Sequence, residues 1–405
     1  MPTVTDARDS ETAPRPAGSG SPDVPEPGLH GWRRALRAAV PVWVTAYVAY
    51  VAVTYFAWFH PANGPAFGQL LLTWRRYDAI WYAEIARLGY DNPDRFAAPV
   101  FFPLYPALGW VVDHVLPGGT TTALQLVSAA ALLATLVVFY RLVEVEFDTQ
   151  IAGRAIWLLM LFPTAFFLAL GFNESLFMAL MLGSVYAMRR SHWWLAGALG
   201  GLASLTRSVG FLLALAFVFE YLRQREFSLR RIRIDVLAVG LIPAGLAAYM
   251  LYLWAVVGDP LAFTNRMDTW GRHLAWPWTA FVQTFQWVPD KPLLHNNNLH
   301  MLLDLGLVVF VTVFVVLALV GPWKMRRDQL MLPLLGLALI LYSTTFPPWP
   351  SRNEPFMGAP RYVLEAFPAF IVLARMKAME RPYTFVALML QGVFLAHFVR
   401  NGWLA

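Results

Sequence analysis

The chain has 405 residues, of which 58% are hydrophobic and 14% charged, with a mean hydropathy of +0.51 and a formal net charge of +6. Apolar runs recur along nearly the whole length, which indicates a polytopic membrane protein. There is no cysteine, so disulfides, thiolate metal sites and cysteine nucleophiles are excluded. The basic residues form short clusters between apolar runs, which indicates membrane topology and not nucleic-acid binding.

The beginning of the chain differs in composition from the rest. Residues 1–32 are rich in Pro, Gly, Ser and acidic side chains and hold almost nothing to bury, which predicts a disordered N-terminal tail. The first apolar run begins near Val40 and is too long for a cleavable signal peptide. We expect residues 33–405 to form one transmembrane domain.

Membrane spans are assigned from runs of about 17–25 apolar residues, which predict an all-α helical bundle of about 10–12 spans. The assigned spans are 39–59, 122–141, 151–170, 173–189, 234–257, 300–320, 329–346, 360–376 and 383–399. Whether two further segments cross the membrane stays open. The prolines of 100–117 favour a short or interfacial helix, and 193–222 favours two short helices meeting near the outer surface, because Arg207 lies in its middle.

Clusters of Lys and Arg between the spans predict the orientation. They comprise Arg33, Arg34 and Arg37; Arg141 and Arg154; Arg189 and Arg190; Arg223, Arg225, Arg230, Arg231 and Arg233; Lys324, Arg326 and Arg327; and Arg375, Lys377 and Arg381. The positive-inside rule places them, and the N-terminus, in the cytoplasm. The connections 60–99, 171–173, 258–298 and 346–360 then face outward. We expect an integral protein of a bacterial plasma membrane with an extracytoplasmic active site.

The outward segments carry charged and aromatic motifs. Asp78 puts a carboxylate at the membrane surface, where it is costly unless it has a function. The other motifs, in chain order, are Phe101-Phe102-Pro103-Leu104-Tyr105-Pro106, Gly171-Phe172-Asn173-Glu174-Ser175, Thr206-Arg207-Ser208-Val209-Gly210 and Pro360-Arg361-Tyr362. In this order the motifs resemble those of the PIG-V-like mannosyltransferases, which belong to the GT-C superfamily of membrane glycosyltransferases. The resemblance covers roughly residues 35–400.

The resemblance implies a GT-C fold with interfacial helices in the first external loop and a polyprenyl-phosphate sugar as donor. It also implies that an aspartate of that loop is the catalytic base. By position that aspartate is Asp78, although eukaryotic relatives commonly place Trp directly before it and this chain has Tyr77. The acceptor does not carry over, so a glycolipid, a glycan and a protein all stay open.

The residue chemistry points the same way without the family. A lipid phosphate is a stable leaving group, so one base that takes the acceptor proton suffices, whereas a glycosidase needs two carboxylates. Arginine suits the donor phosphate through its bidentate fork and permanent charge, and Arg207 and Arg361 approach the outer surface. We expect inverting transfer of a hexose, mannose by the resemblance, to an acceptor hydroxyl, with Asp78 as general base.

Eight residues are candidates for substrate binding: Arg76, Tyr82, Tyr105, Asn173, Glu174, Arg207, Arg361 and Tyr362. Each type of candidate has a structural alternative. Asp78 could be ion-paired with Arg75 on a surface helix, and Asn173 could be a helix N-cap. The arginines could bridge helices or extend to the interface, and the tyrosines could belong to an aromatic belt.

No cofactor or metal is expected. His295 and His300 are close in sequence, and His300 could share a helical face with Asp304, but no His-x-x-x-His spacing occurs. The expected partners are the lipid bilayer, the lipid-linked sugar donor and the acceptor, without nucleic acid. The alternative function is a lipid or glycan transporter or flippase without catalytic activity, although the sequence shows no internal repeat.

Overall fold

The computed structural model describes residues 28–58, 67–92, 96–288, 292, 296–349, 354–400 and 402. Throughout them the regular structure is helical, apart from one isolated antiparallel bridge between Arg272 and Pro348. The all-α prediction is therefore confirmed. Of the expected tail, residues 1–27 lie outside the described part of the chain, while the first helix begins at Leu29, so residues 29–32 are helical.

The α-helices are numbered here in chain order. They are α1 Leu29–Trp58, α2 Phe67–Leu72, α3 Asp78–Leu88, α4 Leu104–Val115, α5 Gly119–Glu146, α6 Thr149–Leu161, α7 Glu174–Arg189, α8 Trp193–Ser204, α9 Leu213–Arg223, α10 Leu241–Val257, α11 Ala262–Asn265, α12 Thr279–Trp287, α13 Asn296–Leu319, α14 Met331–Thr344, α15 Ala359–Tyr362, α16 Pro368–Arg375 and α17 Lys377–Val399.

Within the described residues, five helices are long and apolar enough to cross a membrane. They are α1 (Leu29–Trp58), α5 (Gly119–Glu146), a 3₁₀ stretch continued by α10 (Ile234–Val257), most of α13 (Asn298–Leu319) and α17 (Lys377–Val399). Two further apolar helices, α6 and α14, are shorter. A helix needs about 20 residues to cross the hydrocarbon core at 1.5 Å per residue, and these five meet that length. The prediction of a polytopic helical bundle is confirmed.

Both open segments form short helices. The 100–117 segment contains α4, which has 12 residues and would extend about 18 Å, too short to span a membrane unaided. The 193–222 segment contains α8 and α9, and Arg207 has extended backbone in the break between them, as expected from the cost of an arginine inside a span.

The predicted span 360–376 is wrong as one continuous helix. It consists of α15, a 3₁₀ turn over Val363–Glu365, and α16. Pro368 begins α16, where its missing N–H leaves no helical hydrogen bond unmade. The break holds the polar residues of 361–365 on tight turns, inside the protein and away from lipid.

Helix α7 connects two polar ends of the helical bundle. Helix α7 begins at Glu174 and ends at Arg189, which separates these residues by about 22 Å. At the Arg189 end, the basic clusters contact buried carboxylates: Arg34 lies 3.0 Å from Glu144, and Arg189 lies 2.6 Å from Glu146. The Glu174 end opens into a cavity.

Candidate active site

A cavity of about 480 Å³ lies at the Glu174 end of the bundle. Its walls come from α3, the segment 100–102, the break between α8 and α9, the loop 263–272, the end of α14 and the segment 354–365. The charged lining residues are Asp78, Arg207, Arg272, Glu354, Arg361 and Glu365. Ligand sites typically measure about 300–1,000 Å³ and are mostly apolar with a few convergent polar groups, which fits this cavity.

Asp78 is the first residue of α3, directly after a sharp change in chain direction. Tyr77 has φ +49°, a left-handed conformation that non-glycine residues seldom adopt and that clusters at functional sites. The Asp78 side chain is 21% exposed, and its Oδ2 lies 2.6 Å from Arg361 Nη2. Asp78 therefore pairs with an arginine distant in sequence, and not with Arg75 one turn before it.

Arg361 is held between two carboxylates. Its Nη2 donates to Asp78 Oδ2 and, over 2.9 Å, to the hydroxyl of Tyr362. Its Nε lies 2.9 Å from Glu174 Oε1, which is an ion-pair distance without hydrogen-bond geometry. Only 4% of the Arg361 side chain is exposed, so the guanidinium is almost fully removed from water and depends on these acids.

Arg207 continues the same network. Its Nη1 contacts Glu365 Oε1 and lies 3.7 Å from Glu174 Oε1. Its guanidinium carbon lies 4.2 Å from the ring centroid of Tyr362, close enough for a cation–π contact. The ion-pair network thus runs from Asp78 through Arg361, Glu174 and Arg207 to Glu365, with three carboxylates and two guanidinium groups.

Three atoms of the network lack a hydrogen-bond partner within the described residues. They are Arg361 Nε, Arg361 Nη1 and Glu174 Oε2, and all three are buried. Because the large majority of buried polar atoms in folded proteins are hydrogen-bonded, each exception calls for an explanation such as strain, ordered water or a bound ligand. The network therefore does not satisfy all of its own polar atoms.

The remaining predicted residues divide into two groups. Tyr82 and Asn173 line the cavity together with Tyr362, whereas Arg76 and Tyr105 do not. Asn173 precedes α7 at the N-cap position, but its side chain makes no capping hydrogen bond. Its Nδ2 instead donates to the Thr206 carbonyl over 2.9 Å and so holds the chain next to Arg207.

Tyr82 lines the cavity, and Tyr105 packs behind it. Burial, followed by the negative charges of Asp78 and Glu174, raises the pKa of Tyr82 well above its ordinary value, so the phenol keeps its proton. Tyr105 is completely buried, and its hydroxyl donates to the Leu124 carbonyl over 2.9 Å. Its ring packs edge-on against Tyr82 at 4.9 Å between centroids, so Tyr105 supports the cavity wall and lies outside the lining.

Arg76 points to a different part of the molecule. Its Nη2 donates to the Val399 carbonyl over 2.7 Å at the end of α17. The left-handed backbone of Tyr77 separates its direction from that of Asp78. The expectation that Arg76 binds substrate is not supported by this geometry, because the side chain lies away from the cavity.

The sequence did not identify Arg272 and Glu365 as candidate site residues. It also did not predict that the aromatic residues of the cavity wall pack together. Trp81 stacks on Phe101 at 5.4 Å between ring centroids, and Trp270 packs edge-on against Trp81 at 5.7 Å. Trp81 lies three residues after Asp78, on the same face of α3, which was a usable sign. Arg272 lies in the long connection 258–298, which also holds Arg266, and no local pattern distinguishes the two arginines.

The part of the chain that the structure describes holds no group of three or more His, Asp or Glu side chains arranged for a metal ion. His295 lies outside the described residues. The His300 ring faces that of His397, with 5.6 Å between the centroids.

A family model matches slightly less than half of the chain. Residues 65–263 match the family model described as mannosyltransferase (PIG-V). A similar curated protein is GPI mannosyltransferase 2 of Yarrowia lipolytica (strain CLIB 122 / E 150), with 26% identity over 167 residues. That alignment covers 41% of this chain and 45% of the relative, so it spans less than half of the relative's length.

Solved structures show weaker likenesses. ArnT from Cupriavidus metallidurans, bound to undecaprenyl phosphate, is 17% identical with a TM-score of 0.49, covering 84% of this chain and 62% of that one. The Archaeoglobus fulgidus oligosaccharyltransferase in its apo form is 13% identical with a TM-score of 0.43, covering 89% and 56%. Both TM-scores are below 0.5, too low to support an inference about this chain.

The family match covers the first half of the cavity residues. Asp78, Asn173, Glu174 and Arg207 lie inside the matched segment, while Arg272, Arg361 and Glu365 follow it in the sequence. The resemblance to the PIG-V-like mannosyltransferases is therefore confirmed, and residues 65–263 carry it.

Proposed function

We propose that this chain is a membrane glycosyltransferase that moves a hexose, mannose by its family, from a polyprenyl-phosphate sugar to an acceptor hydroxyl. The observation that carries the proposal is the position of Asp78. Its carboxylate is fixed by Arg361 at the wall of a 480 Å³ cavity, in a chain with membrane-spanning helices. A carboxylate held this way is suited to act as a base.

The proposal assigns separate tasks to the two oxygens of Asp78. Oδ2 accepts from Arg361, which fixes the orientation of the carboxylate and leaves Oδ1 for the acceptor. The acceptor oxygen attacks the anomeric carbon while its proton passes to Oδ1. The bond between the anomeric carbon and the phosphate oxygen breaks, and both electrons leave with the polyprenyl phosphate. One displacement inverts the anomeric configuration.

A single base is sufficient in this reaction. The departing phosphate is stable as an anion and needs no proton, whereas a glycosidase must protonate a departing alkoxide and therefore uses two carboxylates. Glu174 and Glu365 are engaged with Arg361 and Arg207, so they act on the positions of these groups and not on the substrate proton.

The aromatic wall supports a sugar ligand. Trp81, Phe101 and Trp270 form a continuous ring cluster on the cavity wall beside Asp78. An apolar wall with a few oriented polar groups is the usual composition of a small-molecule site. The acceptor, whether glycolipid, glycan or protein, has to bring its hydroxyl to the Asp78 side of this wall.

We further propose that the cavity faces the extracytoplasmic side and that the N-terminus is cytoplasmic. The basic clusters lie at the end of the bundle opposite the cavity, and clusters of this kind are retained in the cytoplasm. Because the chain has no cysteine, one introduced cysteine reports on its own position. Thr264→Cys at the cavity should react with a membrane-impermeant maleimide in intact cells, and Lys324→Cys should react only after permeabilisation. The reverse pattern would refute this orientation.

The activity test uses purified protein and a radiolabelled polyprenyl-phosphate mannose with candidate acceptors. Asp78→Asn should lower the transfer rate by about 10²–10⁴-fold, the usual contribution of a positioned base. Asp91→Asn is the matched control, because Asp91 is exposed and follows α3 in the same external segment. Unchanged transfer by a folded Asp78→Asn variant would exclude Asp78 as the base.

A further inference from the structure

Three arginines surround the ring of Tyr362. The guanidinium carbons of Arg207, Arg361 and Arg272 lie 4.2, 4.9 and 5.8 Å from its centroid. All four residues line the cavity. The three arginines bring positive charge together, but they differ in their carboxylate partners.

Two of these arginines already pair with acids, of which Glu174 and Glu365 are buried. Arg207 pairs with Glu365 and Glu174, and Arg361 pairs with Asp78 and Glu174. An anionic ligand could take over either guanidinium only by displacing a buried carboxylate. That exchange is unfavourable, because the displaced carboxylate would remain desolvated and unpaired.

Arg272 has no carboxylate partner within the described residues. Its Nη2 donates to the carbonyl of Met357 over 2.6 Å, which fixes the guanidinium and leaves its other N–H groups free of protein acceptors there. Arg272 is therefore not neutralised by an ion pair there, unlike Arg207 and Arg361.

The backbone around Arg272 fixes its position on both sides. Arg272 forms the bridge to Pro348. On one side Trp349 N–H donates to the Gly271 carbonyl over 2.7 Å, and on the other His273 N–H donates to the Pro347 carbonyl over 3.2 Å. The guanidinium lies against Gly358, where a Cβ atom would be 2.7 Å from Arg272 Nη2. Gly358 also has φ +77°, so a side chain there would be strained as well as obstructed.

We propose that Arg272 holds the phosphate of the lipid-linked donor, and that Arg207 and Arg361 position Glu365 and Asp78. The inference rests on the proposed function and assigns its donor subsite. A guanidinium matches phosphate oxygens through two parallel N–H donors.

The assignment also agrees with the charge change in the reaction. The donor phosphate has one negative charge as a diester-like sugar phosphate and gains a second when its bond to the anomeric carbon breaks. A fixed cation stabilises that developing charge more than the ground state and therefore accelerates the step.

The test measures binding of radiolabelled farnesyl phosphate to the full-length protein in detergent, with competition by unlabelled farnesyl phosphate or farnesol. Wild-type protein should prefer the phosphate by about 10–100-fold, the range expected for hydrogen bonds to a charged group. Arg272→Gln should abolish that preference and leave farnesol binding unchanged. Arg266→Gln is the matched control, because it removes a charge from the same loop while its residue donates to the Phe96 carbonyl and does not line the cavity.

The outcomes separate the two proposals. If folded Arg272→Gln keeps the preference, the Arg272 assignment is overturned and the lipid-phosphate donor stands. If wild-type protein shows no preference for phosphate, both are overturned. If Arg272→Gln does not fold, Arg272→Lys decides, since it keeps the charge but loses the fork: a reduced preference supports the assignment, and an unchanged one overturns it.

Discussion

The two polar networks at the ends of α7 contain similar residues but differ in how completely they are paired. At the Arg189 end, Arg189 Nε and Nη2 bind both oxygens of Glu146, over 2.6 and 2.8 Å, and its Nη1 binds Glu220 over 3.0 Å. At the Glu174 end, Arg361 Nη1 and Glu174 Oε2 have no hydrogen-bond partner in the described structure.

The networks also differ in what surrounds them. Glu220 is bound from several directions, with Arg223 Nε at 2.8 Å and Gln224 Nε2 at 2.8 Å, and Gln329 Nε2 donates to Glu146 Oε2 over 3.1 Å. The Glu174 end borders a cavity. A network whose groups are mutually satisfied can hold helices together, whereas one with unused donors and acceptors at a cavity is prepared for a ligand. From this comparison we expect the Arg189, Glu146 and Glu220 network to stabilise the fold and the Glu174 network to serve the proposed transfer.

The largest effect on folding is expected at the Arg189 end. Arg189→Gln should lower the free energy of unfolding by about 3–5 kcal/mol, because it leaves the buried acids Glu146 and Glu220 without their shared cation. Transfer per folded molecule should be unchanged. Unfolding in detergent, with transfer normalised to the folded fraction, measures both quantities.

Arg190→Gln is the control for this prediction. Arg190 is the adjacent residue and is exposed, so its replacement should change the free energy of unfolding by no more than about 0.5 kcal/mol. A similar loss in both variants would show that the paired network does not stabilise the fold more than a surface charge does.

The second prediction concerns the acid shared by both arginines of the cavity. Glu174→Gln should lower kcat by about 10–100-fold, the effect of losing a charge-assisted hydrogen-bond partner worth about 1.5–3 kcal/mol. Donor KM should change little, because Glu174 acts through Arg361 on Asp78 and does not contact the donor. Steady-state kinetics separates the two constants.

The free energy of unfolding of Glu174→Gln tests the same comparison between the networks at the two ends of α7. Asp78 still pairs with Arg361 and Glu365 still pairs with Arg207 after this change, so unfolding should be affected less than in Arg189→Gln. A large loss of stability with normal kcat would reverse the roles assigned to the two ends.

The sequence predicted the helices better than it predicted the contacts between residues far apart in the chain. Apolar runs predict membrane helices because lipid forces every backbone polar group into internal hydrogen bonds, and the cost of Arg207 correctly predicted the break between α8 and α9. The continuous span 360–376 was wrong, because those residues are buried among other helices and need not form one unbroken helix.

Depth and residue type led from the sequence to residues that line the cavity, such as Asp78 and Arg361, whereas contacts between residues far apart in the chain were missed. Asp78 and Arg361 pair across 283 positions, and Arg207 and Glu365 across 158, distances at which sequence spacing contains no information about contact. Arg76 was included because it is near Asp78 in the chain. The left-handed Tyr77 between them turns the two side chains to different neighbours.

The smallest effect is expected behind the cavity wall. Tyr105→Phe removes a hydroxyl that contacts the Leu124 carbonyl and Ser128 Oγ, over 2.9 and 2.7 Å, and should lower the free energy of unfolding by about 1 kcal/mol with normal transfer. Tyr82→Phe, one ring closer to the cavity, should instead change donor or acceptor KM with little change in unfolding, because Tyr82 is a lining residue. Paired measurement of unfolding and kinetics on both variants locates the boundary between support and site. If Tyr105→Phe changed KM as much as Tyr82→Phe, that boundary would lie one layer deeper than the cavity wall described here.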